Sequence, residues 1–482
     1  MRLLPRILQS AAFLCLFVAP ALSADLYWRT DGTAGQSWTG ASWSNPASPT
    51  GGTGWTSGSN AFFTESSSLS FATTAVGNVT VSAGKSVTIA ANNLTLTLGG
   101  VRTFDIGTGA TLNWASQKQS TAPINEGAGV TKTGEGTLNW GAGPGENSRF
   151  NGGFTLNQGT VIVTGDYAFG SGVLTINGGT IESSGKLDFT STSLVVGGNF
   201  ELTKTGSSTA TATWSMPVDL SGGVRTITQN ATGADRIFGG VISNGGLTKA
   251  GSGVLTLSGA NTFTGPTTVN TGTLKLTGSG SIATSSVVTV GSGATLDVSG
   301  VTGGWSVASG QKLAGAGTVT GAVTVNGTHA PSGSHAVTGS LAYGTGSIFE
   351  WDLTSANTNS GFDTVSVTGS LGNALGAFKV MTDLDFGTSF WNSQKDWNSI
   401  FSVSGASVGW LANTAVSVYS SAGTLRNVGD QGSFAVTGTT LTWTPVPEPS
   451  SALAGLLLGA GLMRRRRNSE AGSRRPETGG GG

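Results

Sequence analysis

Along most of the chain, hydrophobic and polar residues alternate with period 2 in short runs closed by Gly, Asn or Ser. Thr95-Leu96-Thr97-Leu98, Val161-Ile162-Val163, Val254-Leu255-Thr256-Leu257, Thr273-Leu274-Lys275-Leu276 and Thr295-Leu296-Asp297-Val298 are of this kind. Period 2 predicts strands with one face buried and the other wet, and the closing residues predict tight turns. No amphipathic helical run of useful length precedes the C-terminal third.

Two stretches align with each other. Val130-Thr131-Lys132-Thr133-Gly134-Glu135-Gly136-Thr137-Leu138-Asn139-Trp140 matches Leu247-Thr248-Lys249-Ala250-Gly251-Ser252-Gly253-Val254-Leu255-Thr256-Leu257. Each is followed by Phe-x-Gly (Phe150 to Gly152, Phe263 to Gly265) and then by a third strand, Gly159 to Val163 and Gly272 to Leu276. Gly170 to Ile176 and Gly291 to Leu296 are weaker echoes. One such unit cannot bury a face alone, whereas a stack of them buries a narrow core of Val, Ile and Leu and leaves Thr and Ser outside. The predicted fold is all-β, a parallel β-helix with glycine at its tight corners.

Gly246 to Leu276 resembles the autotransporter-associated β-strand repeat, and Val130 to Val163 is similar to it less closely. The resemblance implies a right-handed β-helix that serves as a passenger-like stalk at the cell surface. Autotransport itself is not implied, because a different kind of segment stands where the usual membrane β-barrel would be.

The flanks differ from the repeats. Trp28, Trp38, Trp43 and Trp55 lie among Gly, Ser and Thr, as expected of a cap over the open end of a solenoid. The alternative use of Trp38 and Trp43 is as indole faces for a glycan. Past Ser340, Phe349, Trp351, Phe378, Trp391, Trp397 and Trp443 supply large side chains that read as the core of a compact β domain. One short helix is expected within Ser389 to Phe401, with Ser389 as its cap. The chain thus divides into a signal peptide (1–23), a Trp-rich β cap (24–100), the β-helix (101–339), a C-terminal β domain (340–445), a sorting segment (446–467) and a disordered tail (468–482).

Composition narrows the function classes. Glycine is 79 of 482 residues, charged residues are 10%, and there is one cysteine. These exclude a disordered polyelectrolyte and a disulfide scaffold. Formal net charge is zero, but many basic residues sit at the ends (Arg2, Arg6, Arg464 to Arg467, Arg474, Arg475), so the body is net acidic. No basic face offers counterion release, and nucleic acid is not an expected partner. Arg2 and Arg6, the apolar run Ala11 to Val18, and the small residues Ala21 and Ser23 read as an export signal cut between Ser23 and Ala24, or one residue later before Asp25. Cys15 falls in the removed part, so the mature chain is expected to lack thiol chemistry.

At the other end, Val446-Pro447-Glu448-Pro449 precedes an apolar run, Ala452 to Met463, closed by Arg464, Arg465, Arg466 and Arg467. The run is shorter than the roughly 17 to 25 residues of an ordinary membrane span. The arginines favour the cytoplasmic side, and their stems can snorkel to the interface. A short C-terminal membrane helix is the expectation. These residues resemble the PEP-CTERM sorting signals of Gram-negative bacteria. That resemblance implies processing by an exosortase-type enzyme near Pro447-Glu448-Pro449, transient anchoring in the inner membrane, and delivery to the outer surface or an exopolysaccharide matrix.

Catalytic chemistry on a β-helix needs clustered acids. The tightest set is Asp383 and Asp385, read as same-face strand neighbours, with Asp396 further on. Solvated loop acids are the favoured reading. His329 and His335 lie six residues apart without a third ligand or a nearby cysteine, which argues against zinc. No cofactor is expected. The sequence therefore points to a non-enzymatic exported surface or matrix protein with a β-helix stalk. A polysaccharide-binding module is the alternative, and a glycan-active enzyme comes third.

Overall fold

The computed structural model describes residues 25–28, 43–45, 48–53, 60–71, 75–91, 95–96, 100–116, 128–142 and 151–446, the last stretch with short gaps at 167, 184, 186, 190, 207–208, 373–374 and 407–413. It divides into two compact units, 1–263 and 264–482.

In the first unit, successive strands alternate between faces and pair in parallel with the equivalent strands one coil away. One face includes Asn60–Phe63, Val79–Val81, Gly100–Ile106, Ala128–Thr133, Phe154–Leu156, Leu174–Ile176 and Leu194–Val196. A second includes Ser86–Ala91, Thr111–Ser116, Thr137–Ala142, Thr160–Val163, Thr180–Ser183 and Phe200–Lys204. A third face opens at Leu187–Phe189 and continues through Ala212–Trp214, Arg236–Phe238 and Val254–Leu257. The fold is the predicted parallel β-helix. At its N-terminal side, Trp43–Asn45 and Ser48–Thr53 run antiparallel, which ends the parallel ladder there.

The second unit has the same architecture. Val287–Val290, Lys312–Gly315 and Thr328–Pro331 stack on one face. Thr295–Val301, Thr318–Thr320 and Ser334–Thr338 stack on the next. Trp305–Val307, Val323–Val325 and Leu341–Tyr343 form the third. Composition shifts near 340, yet parallel pairing passes that point through Ile348–Asp352, Ala377–Met381 and Val416–Tyr419. A separate three-stranded antiparallel sheet follows, with Thr440–Pro445 between Lys395–Trp397 and Gly432–Thr437. The expected helix within 389–401 is not formed. Ser389–Asn392 makes only a 3-10 turn after Thr388, and Lys395–Trp397 is a strand. Sheet pairing there drives Trp397 into the same core as Trp391, which helical spacing would not do.

Alternation sets the core. In the first unit Phe104, Trp114, Trp140, Phe154, Phe169 and Trp214 are buried and touch ring to ring in a column inside the coils. Outside, the register stacks Thr103, Thr131, Thr155 and Thr175 on one face and Thr111, Thr137, Thr160 and Thr180 on the other. Threonine suits the pleated surface, and like pairs in register add to sheet stability.

Corners need glycine at defined places. Gly251 follows the strand Gly246–Ala250 at φ +78, and an added Cβ would lie 2.5 Å from the Gln229 carbonyl oxygen. Gly293 has a similar φ of +75 but open space around it. Gly293→Ala should therefore lose only about 1 kcal/mol of conformational strain, and Gly251→Ala at least twice that. Urea unfolding of the two variants checks the difference.

Among the described residues no helix is long and apolar enough to cross a membrane. The expected short membrane helix lies outside the described residues, as does the N-terminal signal.

Candidate functional site

Three arrangements of polar groups stand out. The first is the lysine of the repeat. Lys132 ends inside the coil, where its Nζ donates to the carbonyls of Thr133 (2.6 Å), Gly134 (2.6 Å) and Gln158 (3.3 Å). Lys249 does the same, donating to Ala250 (2.9 Å) and Gly251 (2.7 Å). Both side chains turn back into the glycine corner that follows them and donate to its carbonyls. Burial pushes each ammonium down to about 8. Lys132 and Lys249 lie on different faces of the helix, so the motif specifies a corner and not a face. Other corners use neutral amides. Gln229 donates to the carbonyls of Ala234 and Val254 (both 3.1 Å), and Gln311 to those of Ile282 and Ser285 (both 2.8 Å).

The second arrangement joins the two histidines. His329 on Thr328–Pro331 and His335 on Ser334–Thr338 both point inward across the corner at Gly333. His329 Nε2 is 3.2 Å from His335 Nδ1, and His329 Nδ1 is 2.6 Å from the Tyr343 hydroxyl. Phe349 packs edge-on to His329. His335 Nε2 has no hydrogen-bond partner among the described residues. Burial holds both imidazoles below their ordinary range, His335 at about 4, and the neighbouring ring lowers His329 further. Asp363 supports the same corner, accepting from Gly333 N (2.6 Å) and Asp352 N (2.8 Å). Burial raises its carboxyl to about 6 despite those bonds. Sequence spacing hid this cluster, because neighbouring faces meet only once the corner is turned. Among the described residues no group of three His, Cys, Asp or Glu is placed to hold a metal.

The third is the C-terminal sheet. Trp443 is fully buried against Trp391, Phe386 and Phe434, and its Nε1 donates to the Trp391 carbonyl at 2.9 Å. Val446, half exposed, closes the sheet by donating its N–H to the Gln431 carbonyl at 2.9 Å.

The sequence-derived acids are not brought together as a catalytic group. Asp383 and Asp385 lie beyond the strand Ala377–Met381, not on a strand as expected. Asp383 accepts from Ser421 N (3.0 Å), and hydrogen bonding to Ser421 lowers its carboxyl below the ordinary range. Asp385 accepts from Gly387 N (2.8 Å), and Asp396 from the Thr442 hydroxyl (2.8 Å). Each carboxylate serves its own turn or strand. Of the other sequence-derived sites, Val446 is described above, and the backbone of Trp43 lies in the antiparallel strand Trp43–Asn45. Ser23, Ala24, Trp38, Pro447, Glu448, Pro449 and Arg464 to Arg467 lie outside the described residues.

Residues 247–276 match the family model of the Passenger-associated-transport-repeat, an autotransporter-associated β-strand repeat. The match spans Lys249 and its corner glycines. No curated protein and no solved structure matches the chain. The repeat, carried on a parallel β-helix, is that of a surface or secreted passenger-like protein.

Proposed function

We propose that this chain is a non-enzymatic, exported cell-surface or extracellular-matrix protein of a Gram-negative bacterium. Its β-helix acts as a structural stalk, and its C-terminal Pro447-Glu448-Pro449, apolar run and arginine cluster act as a sorting signal read by an exosortase-type enzyme. The observation that carries the reading is the repeat itself, a corner-clamping unit in a solenoid. The outer columns of Thr on two faces fit the same role, giving an uncharged, ordered surface. The dispersal of Asp383, Asp385 and Asp396 into separate local hydrogen bonds favours a structural role over glycan hydrolysis. Phe104, Trp114, Trp140, Phe154, Phe169 and Trp214 of the first unit fill the coil, and glycan contact there, if any, is assigned to Trp38 and Trp43 of the N-terminal segment.

Fractionation of producing cells with intact-mass measurement tests the proposal. The expected product begins near Ala24, ends near Pro447-Glu448-Pro449, and lies outside the inner membrane. Glu448→Ala should leave the full C-terminus in the membrane fraction. A wild-type chain that keeps Gly482 and stays in the inner membrane would remove the sorting role.

A further inference from the structure

Charged residues are only 10% of the chain, yet four of them gather on one outer face of the second unit. There Ile348–Asp352, Ala377–Met381 and Val416–Tyr419 stack in parallel, and Leu425–Arg426 adds an antiparallel edge. Phe349, Trp351, Phe378, Val380 and Val418 are buried in the coil, so alternation turns Glu350, Asp352, Lys379, Met381 and Tyr419 outward. Register sorts these into two rows. Asp352 is opposite Met381, Met381 opposite Tyr419, and Tyr419 opposite Leu425. That row crosses three strand spacings, roughly 14 Å. Beside it, Glu350 is opposite Lys379. Lys312 reaches in from a neighbouring coil and donates to Glu350 Oε2 at 2.8 Å, while Lys379 Nζ lies 3.5 Å from Oε1. The Lys379 ammonium also sits over the Tyr419 ring, 5.0 Å from its centroid.

An ion-pair ladder on a surface contributes little to stability, and it explains neither end of the first row. At one end Leu425 is 64% exposed and continues an apolar strip with Met381 and Tyr419. At the other, the Asp352 N–H is engaged with Asp363, but the half-buried Asp352 carboxylate has no hydrogen-bond or ion-pair partner among the described residues. Burial raises that carboxyl, with Lys312 opposing the rise and Glu350 reinforcing it. An apolar strip edged by a few convergent polar groups is the chemistry of a ligand site. A pyranose ring matches it, with C–H groups on its face and, around its edge, hydroxyls that both donate and accept. Charge selects among sugars. Two lysines and two carboxylates balance, so an acidic sugar meets Asp352 and Glu350, and a cationic one meets Lys312 and Lys379. Neutral hydroxyls find acceptors on both carboxylates and a donor on Lys379.

We propose that this outer face of the second unit binds a neutral polysaccharide, with pyranose rings laid along Met381, Tyr419 and Leu425 and their hydroxyls donating to Asp352 and Glu350. A sugar on Tyr419 takes the place of the Lys379 ammonium, which stays within reach as a donor at the ring edge. The site stands apart from the sorting segment and from Trp38 and Trp43, and does not rest on the role of either. It gives the solenoid a grip on polymer along its side, where the sheet is flat enough for an extended chain to lie across successive strands.

Affinity electrophoresis of the purified full-length protein tests the site, in a detergent whose headgroup carries no sugar. Native gels are cast with dextran, mannan or a mixed-linkage β-glucan, and a further gel with polygalacturonate. At least one neutral polymer should retard the protein, and polygalacturonate should not. Tyr419→Ala and Asp352→Ala should each weaken the retardation at least fivefold, and Tyr419→Phe should keep it. These side chains face outward, and urea midpoints close to that of the wild type show that the variants remain folded. Lys275→Ala, which removes an ion pair to Asp297 on a different face, should bind as the wild type does. Trp38→Ala with Trp43→Ala should also leave the retardation in place. Passage through all three neutral gels without retardation would overturn the proposal. Retardation by polygalacturonate alone would overturn the neutral ligand. Retardation that survives Tyr419→Ala, or that is lost with the tryptophan pair instead, would overturn the site.

Discussion

Lowering the pH from 7 to 4 should destabilise the second unit, and the buried histidine pair should be the cause. In the unfolded chain both imidazoles titrate near 6.5. In the fold, burial holds His335 at about 4 and His329 well below its ordinary value. Between those values the unfolded chain binds more protons, so the stability present above pH 6.5 is lost as pH falls. His335 alone accounts for about 3 kcal/mol of that loss. Asp363 works in the other direction. Its carboxyl, raised to about 6, takes up a proton in the fold before it would in the unfolded chain. That offsets about 3 kcal/mol as pH falls from above 6 to below 4. Asp352, also raised by burial, adds to the offset, with nearby Lys312 opposing the rise and Glu350 reinforcing it. Asp363 and His335 nearly cancel, so the balance lies between His329, held well below its ordinary range by burial and by His335, and Asp352, and the net change is expected to be destabilising. Urea midpoints followed by tryptophan fluorescence at pH 7 and 4.5 measure it. Asp363→Asn keeps an acceptor for Gly333 but cannot titrate, and should steepen the acid loss. His335→Leu should flatten it. A wild-type midpoint that rises on acidification would show that the imidazoles are not buried neutral as described.

How much of this was legible in the sequence depends on the length scale of each feature. Strands such as Val254–Leu257 and Thr295–Val301 follow from period 2 alone, because alternation and burial are the same fact on a pleated surface. The β-helix followed from repeats that are individually unable to close a core. What stacks on what was not legible. Thr-x-Thr occurs in any alternating strand, and only the coil length between strands brings Thr111, Thr137, Thr160 and Thr180 into one column. The histidine cluster was missed for a related reason. His329 and His335 look like an arbitrary pair until Pro331 to Gly333 turns the corner and points both rings inward. The helix expected near Trp391 failed because long-range pairing with Thr440–Pro445 outweighs a local pattern. The acids were read as strand neighbours from spacing, but the strand ends at Met381, before either of them.

The repeat lysine makes the strongest test of the fold's internal logic. At pH 7 the buried ammonium of Lys132 opposes folding through desolvation, yet the carbonyls of Thr133 and Gly134 depend on it. Those opposing effects separate on mutation. Lys132→Ala removes the donor and also opens a cavity along the side-chain stem, and should lose about 3 to 5 kcal/mol. Lys132→Met fills the stem and removes the charge, leaving only the unpaired carbonyls, so the loss should be about half as large or less. The same balance sets the response to alkali. Each lysine is lowered from 10.5 to about 8, so from pH 8 to 10.5 the unfolded chain holds the extra proton and stability rises with pH. The gain is at most about 3 kcal/mol for each. The first unit should therefore be more stable at pH 10 than at pH 7.5, the reverse of what an exposed ion-paired lysine would give. Lys132→Met with Lys249→Met should abolish that rise in the urea midpoint. If the wild-type midpoint is flat or falls over this range, the lysines are not held inside the coil and the corner clamp is wrong. If it rises and the double variant removes the rise, the most distinctive residue of the repeat acts by closing a corner from within, which any face of the solenoid can use.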